Sequence, residues 1–293
     1  MPPPGQRIKG DAVSFEHAFP LLTSFNSFLT VAIHNILFYR GIYPAGTFLS
    51  TRAYNLPVHQ NRHPKVCDWI RDAASAVATQ LANGQVSRIA VVIHSPLDPT
   101  PSLWASSPSL SPSEDVPPGS VLERWMFDVS RVPAWPAKKA GTTGAKAMDD
   151  FGRMLAKESR NEASREVAVR PGETLVSQPD VDEQLRGALQ RLAHTAEGMA
   201  ALPPGCSFTV AVELRDRAKA PIGYPQEWIP SEPSLQPASK GKTVAGSDMG
   251  GAKATPIRSV EAGPMFFECW VEEGKAKEAL LAAQSRDSKQ SPY

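Results

Sequence analysis

The sequence predicts an α+β fold with an antiparallel central sheet, and three observations carry that prediction. The stretch 21–39, LLTSFNSFLTVAIHNILFY, holds no charged residue, and its apolar side chains fall on every face of a helix. A helix of that kind is either enclosed by protein on all sides or lies in a membrane. Four short runs, 88–94 (RIAVVIH), 121–129 (VLERWMFDV), 206–214 (CSFTVAVEL) and 265–271 (MFFECWV), are rich in the β-branched and aromatic residues of strands. Two further segments, 63–82 and 181–199, carry apolar residues at helical spacing. The order helix, helix, strand, strand, helix, strand, irregular arm, strand belongs to an α+β domain with an antiparallel sheet, not to an alternating βαβ chain.

The first helix organises the rest. At about 1.5 Å per residue it spans roughly 28 Å, enough for a small domain or a bilayer core. Thr23, Ser24, Asn26, Ser27, Thr30, His34 and Asn35 are spread through it, and in hydrocarbon each would need an internal partner. No Lys/Arg cluster flanks it to set an orientation. The run is too long for a signal peptide and is not followed by a small-residue cleavage site. A soluble core helix is therefore expected. Pro20 fits its first position, where a missing N–H costs nothing. Phe15 and Phe19 add either a first turn or a lead-in, and Gly41 and Pro44 end the helix.

The remaining elements follow in order. Residues 1–12 read as a disordered N-terminus and 13–273 as one domain. Residues 48–58 form a short extended stretch. His63-Pro64 opens the second helix and Asn83-Gly84 stops it. The unbroken β-branched run 88–94 reads as an interior strand, with 121–129 antiparallel to it. Between them, 95–120 is a Ser/Pro-rich surface loop. Residues 136–180 are low in apolar content and read as a disordered insertion with a transient helix near 149–160. Pro203-Pro204-Gly205 ends the third helix. Residues 217–259 are rich in Pro, Gly, Ser and Lys, with Trp228 and Ile229 as the exceptions. The tail 274–293 reads as flexible, helical at best.

Composition excludes several functions. Lys and Arg total 31 and Asp and Glu 30, a net charge of +1, so no global charge draws the chain to nucleic acid. Three widely spaced cysteines, Cys67, Cys206 and Cys269, read as free thiols in a reducing compartment. Catalytic signatures such as GxSxG, HExxH, a Walker loop or GxGxxG after a strand do not occur. His59, His63 and Cys67 are spaced four apart without a fourth ligand in register, so no metal site is expected; Cys67 reads as a small hydrophobe. His34 and His94 lack a nucleophile or carboxylate constellation and read as core or core-edge histidines. Glu272-Glu273 reads as solvated surface.

Several stretches together resemble one family. VAIHNILFYRGIYPAGTF (31–48), YNLPV (54–58), HPKVCDWIRDA (63–73), RIAVVIH, PPGCSFTVAVE (203–213) and PMFFECWVEE (264–273) are similar, in order, to HORMA domains, and within them to the accessory subunits of translesion DNA polymerase zeta. The resemblance covers roughly two thirds of the chain and leaves out 1–12, 95–120, 136–180 and the tail after Gly274. It implies a non-enzymatic adaptor without cofactor: a central sheet on three helices, with a C-terminal "safety belt" (215–273) that closes around a partner peptide. The implied partner is a proline-containing segment of the polymerase zeta catalytic subunit, contacted by Trp69, Trp228, Tyr54 and Pro57. A second implied surface, for the C-terminal domain of the scaffold translesion polymerase, involves Ala254, Glu268 and Trp270. There Ala254 stands where a leucine is usual, and Glu268 and Trp270 where an amide and a tyrosine are. Arg186 matches an arginine of HORMA–HORMA dimers, although Ser50 replaces a lysine of that surface. An AAA+ remodeller is a further partner the resemblance suggests, the implied compartment is the nucleus, and neither direct nucleic-acid nor membrane binding is implied. The rival reading within the family is a spindle-checkpoint or meiotic adaptor for a different closure-motif peptide.

Overall fold

The computed structural model describes residues 15–97, 116–132, 177–216 and 251–290. Helix α1 spans Phe15–Tyr39 and runs through the middle of the molecule. Leu21, Leu22, Phe25, Phe28, Leu29, Ala32, Ile33, Ile36 and Leu37 are all buried. Its length and hydropathy would suffice to cross a bilayer; here the same apolar faces are covered by the sheet and by other helices. The helix begins at Phe15, which takes the first-turn alternative, so Pro20 lies inside it instead of at its first position. There the proline forfeits the bond that its N–H would have donated to the Glu16 carbonyl.

The polar residues of α1 hold a hairpin. Strands β1 (Phe48–Ala53) and β2 (Leu56–Asn61) form a two-stranded antiparallel sheet. Its turn uses Tyr54 and Asn55, at φ +50° and +58°, the left-handed pair that tight hairpins need. The free edge of β2 then meets α1 side-on. The His59 N–H donates to Asn35 Oδ1 at 2.9 Å, and the Asn61 N–H donates to His34 Nδ1 at 3.3 Å. Phe38 stacks on the His59 ring at 3.4 Å. Strand-edge donors that would otherwise be orphaned are thus satisfied by the groups that argue against a membrane helix.

Helix α2 is Pro64–Ala82, with Pro64 in the first turn. It buries Ile70, Ala74, Val77 and Leu81, and Gly84, at φ +67°, follows its end. Strands β3 (Val86–His94) and β4 (Val121–Asp128) pair antiparallel, as do all the neighbours in the sheet. Helix α3 is Gln178–Gly198, followed by β5 (Ser207–Leu214), β6 (Gly251–Ala262), β7 (Met265–Gly274) and α4 (Lys275–Gln290). The five strands are ordered β5-β3-β4-β7-β6.

One face of this sheet is the core. Phe267 meets Phe25 edge-on at 5.2 Å and Phe127 meets Phe28 at 6.0 Å, so α1 lies across β4 and β7. Leu185, Leu189 and Leu192 of α3 join the same core. The opposite face carries a smaller apolar row: the registers align Ala211, Ala90, Met126, Trp270 and Pro256 across all five strands.

Two expectations for the C-terminal third are corrected. Part of the arm read as irregular, 251–259, belongs to strand β6. Its sequence GAKATPIRSVEA is poor in strand formers, and pairing with β7 supplies what local propensity does not. Pro256 is tolerated because β6 is an outer strand. The tail expected to be flexible from residue 274 continues as α4, in which Ala276 and Lys277 are buried, so a fourth helix joins the three expected. Helix α3 also begins at Gln178, inside the stretch read as insertion.

Candidate peptide-docking edge and its closing arm

Strand β5 is an outer strand, and among the described residues nothing pairs with its far side. Such an edge presents unpaired N–H and C=O groups to any extended segment. Side chains on the two faces of β5 differ. On the core side, Phe208 lies edge-on to Trp69 at 5.0 Å and to Tyr43 at 6.4 Å. Trp69 stays 37% exposed, one of few large apolar side chains so open among the described residues. Desolvation raises the Tyr43 hydroxyl above its ordinary pKa, which keeps it neutral. On the opposite side, Thr209 Oγ1 is 3.0 Å from His94 Nε2, and His94 Nδ1 is 3.1 Å from the Gly119 carbonyl. A carbonyl can only accept, so Nδ1 carries a proton, and in the neutral ring Nε2 accepts from the threonine hydroxyl. The edge therefore has an aromatic wall on one face and a polar one on the other.

The chain leaves β5 at one margin of the sheet and returns as β6 at the other. Residues 217–250 link the two strands in sequence. Both ends of the arm are anchored. At the start, the Arg215 guanidinium donates to the carbonyls of Val86, Ser130 and Val132, and its N–H donates to the Gln85 carbonyl. At the end, Lys277 Nζ sits 2.7 Å from Glu123 Oε1 and 2.6 Å from Glu273 Oε2. Glu123 is fully enclosed. It also accepts from Arg40 Nη2 at 2.7 Å, Arg40 Nε at 3.0 Å and Trp125 Nε1 at 3.1 Å. Arg40 spends its other donors on the carbonyls of Ala196, Met199 and Ala200, at the C-terminal end of α3. Burial pushes the Glu273 carboxyl up, but bonds and charge from Lys277 and Lys253 outweigh it and leave the pKa below the ordinary value.

The residues singled out from sequence fall into separate groups. Trp69 stands beside the β5 edge. Tyr54 sits at the hairpin turn with its hydroxyl donating to the Ser24 carbonyl at 3.2 Å. Ser24 lies roughly 24 Å along α1 from its end at Arg40, while Trp69 packs on Phe208, which also meets Tyr43 just past that end, so Tyr54 and Trp69 stand apart. Pro57 is exposed on β2, opposite Arg52. Trp228 lies outside the described residues. Ala254, Glu268 and Trp270 share the outer face of β6–β7, with Pro256 opposite Trp270 and Ala254 opposite Glu272. Trp270 Nε1 donates to Glu272 Oε1 at 2.8 Å. The Arg88 guanidinium lies 6.0 Å over the Trp270 ring while pairing with Asp128 and Glu213. Arg186 on α3 pairs with Glu183 one turn away at 2.7 Å, and Ser50 is exposed on β1. Sequence reasoning missed Phe208, Arg215 and the Arg40–Glu123–Lys277 cluster. Arg40 directly after the uncharged stretch 21–39 was the available signal; its partners, far along the chain, left none.

Comparison with known proteins agrees with this architecture. The family model described as HORMA domain matches residues 22–253. The DNA polymerase zeta processivity subunit of Schizosaccharomyces pombe is 26% identical over 85% of this chain and 91% of its own. The protein of the same name from Arabidopsis thaliana is 22% identical over 89% of each. The mitotic spindle assembly checkpoint protein MAD2B of Danio rerio is 28% identical over 65% of this chain and 64% of its own. Among solved structures, a chain of the mitotic checkpoint complex superposes with a TM-score of 0.52 at 19% identity, covering 86% of this chain and 97% of that one; this likeness speaks for the fold. The HORMA model spans most of the domain built here, from the core helix to the first residues of β6, and this chain belongs to the HORMA-domain family.

Proposed function

We propose that the chain is a non-catalytic adaptor of translesion DNA polymerase zeta, acting in the nucleus. It takes an extended, proline-containing segment of the catalytic subunit onto the free edge of β5 and closes the arm, 215–273, over it. Main-chain bonds to an edge strand give affinity without demanding a sequence, and the flanking pockets choose the sequence. The ligand strand continues the pleat of β5, so its alternate residues meet Phe208 and Trp69 on one face and Thr209 on the other. Trp69 and Trp228 grip the segment. Tyr54 acts from a distance by fixing the hairpin on α1, and Pro57 belongs to the same hairpin. The outer face of β6–β7, with Ala254, Glu268 and Trp270, docks the C-terminal domain of the scaffold translesion polymerase. Arg186 serves a homodimer, and an AAA+ remodeller reopens the arm.

The observation that carries this reading is the β5 edge, unpaired among the described residues, beside an exposed indole, with the chain leaving at that margin of the sheet and returning as β6 at the other. The polymerase assignment draws on the names of the relatives that match most of the chain. A second reading has support of its own, because other relatives are named for the spindle checkpoint: the same edge and arm would then hold a checkpoint closure segment. Titrating the full chain with synthetic proline-containing peptides from the same organism's polymerase zeta catalytic subunit, and with checkpoint closure segments, separates the two. Submicromolar capture of a polymerase peptide is expected. Capture of only the checkpoint segments would overturn the polymerase reading, and capture of neither would overturn both.

A further inference from the structure

We infer that Lys277 is the latch of the arm: its ammonium closes on the buried carboxylate of Glu123, and this joint sets how fast the arm opens. The inference rests on the reading of 215–273 as a closing arm. Arg40, Glu123, Trp125 and the end of α3 belong to the body of the domain. Glu273 arrives with the last strand of the arm, and Lys277 with the helix α4 that follows it directly. Lys277 is 2% exposed and Glu123 0%, so this is a contact made out of water, where removing one partner is costly.

The charge balance of the cluster makes the joint separable. Arg40 and Glu123 cancel, and so do Lys277 and Glu273. When β7 and α4 leave, this cluster gives up one positive and one negative group, and Glu272 parts from Arg124 of β4, its partner at 3.1 Å. The Arg40–Glu123 pair stays behind, held at 2.7 and 3.0 Å, with no orphaned charge. Opening therefore costs the β4–β7 ladder and the bonds across the joint, but leaves Glu123 paired with Arg40. A joint with two permitted arrangements is what a switching element requires.

Backbone geometry at the joint fits the same role. A Cβ placed on Gly274 would lie 2.6 Å from the Val121 carbonyl oxygen, well inside van der Waals contact. The last residue of β7 thus approaches β4 backbone to backbone, and Lys277 reaches Glu123 from the first turn of the helix that follows. Glycine is needed at 274 for this close approach.

Hydrogen exchange on the full chain tests the latch without any ligand. Two variants probe the joint independently, Lys277→Met by charge and Gly274→Ala by bulk. Lys253→Ala is the control, since its exposed pairing with Glu273 at 3.6 Å should contribute little. Both joint variants should speed exchange in β7 and α4 by about tenfold or more, about 1.4 kcal/mol in free-energy terms, while β3 amides keep their protection. The control should change neither. Release of a bound polymerase zeta catalytic-subunit peptide should accelerate in step. Unchanged β7 exchange in both joint variants would overturn the latch. So would a joint loosening of β3 and β7, because the pair would then hold the whole fold, and so would faster exchange without faster release. If wild type captures no peptide, the functional reading fails, and the exchange data alone still decide for or against the latch.

Discussion

Replacing Trp69 by alanine should weaken peptide capture about thirtyfold while leaving the domain folded. The magnitude follows from the exposure of the side chain. With up to ~250 Å² of indole surface and 37% of the residue exposed, roughly 90 Å² remains for a ligand to cover. At ~25 cal/mol per Å² that is about 2 kcal/mol, or about thirtyfold in Kd. The edge-on contact with Phe208 contributes to the free fold instead, about 0.5–1.5 kcal/mol, so a modest fall in Tm accompanies the loss of binding. Trp69→Phe should recover part of both. The assay is binding kinetics on an immobilised catalytic-subunit peptide, with thermal melting as the fold control, and the change should appear mainly in dissociation. An alanine variant that melts cooperatively and binds within about twofold of wild type would refute the reasoning, since no ligand atom could then be resting on that indole.

Further predictions concern the core and the second surface. Arg40→Met strips Glu123 of two bonds and the end of α3 of three donors; it should cost ~3–5 kcal/mol, read from the urea midpoint. Acid should destabilise the domain through His34, whose pKa burial lowers from 6.5 to about 4 and whose Nδ1 must be unprotonated to accept from the Asn61 N–H. Below pH 6.5 the unfolded chain binds a proton that the folded one refuses, so this contribution is complete above pH 6.5. It is lost progressively as pH falls toward 4, by about 3 kcal/mol at most. His34→Gln should flatten that part of the stability–pH curve, and a curve of unchanged slope would contradict the assignment. Trp270→Ala should weaken binding of the scaffold polymerase domain thirtyfold or more while changing peptide capture by less than about threefold, as measured by titration calorimetry with each partner.

The elements with strong local signals were legible in the sequence. The core helix, α2 and strands β3, β4, β5 and β7 follow from apolar periodicity and β-branched runs, which report burial directly. What could not be read depends on contacts across the chain. The turn at Tyr54 and Asn55 lacks the glycine that usually marks a hairpin. Strand β6 owes its conformation to β7. Helix α4 looks like a polar tail until Lys277 is seen against Glu123, and a lysine buried by a glutamate 154 positions earlier leaves no pattern in its own neighbourhood. The site divides in the same way. Trp69 was visible as an aromatic on a helix face, and Trp270 as part of a strand, through the family resemblance. Phe208, which gives Trp69 its place, is an ordinary strand residue until the sheet order makes β5 an edge. Arg215 reads as a surface charge, yet its guanidinium ties three carbonyls where the arm departs.

The claim on which the account depends is that β5 receives the ligand strand. Residue-resolved hydrogen exchange on the full chain, with and without a saturating catalytic-subunit peptide, measures it directly. The account predicts that amides of Ser207–Leu214 on the open side of the strand become strongly protected, together with residues 217–250, while the outer face of β6–β7 is unchanged. Peptide binding that leaves the β5 amides exchanging at their free rate, with new protection elsewhere on the domain, would contradict it.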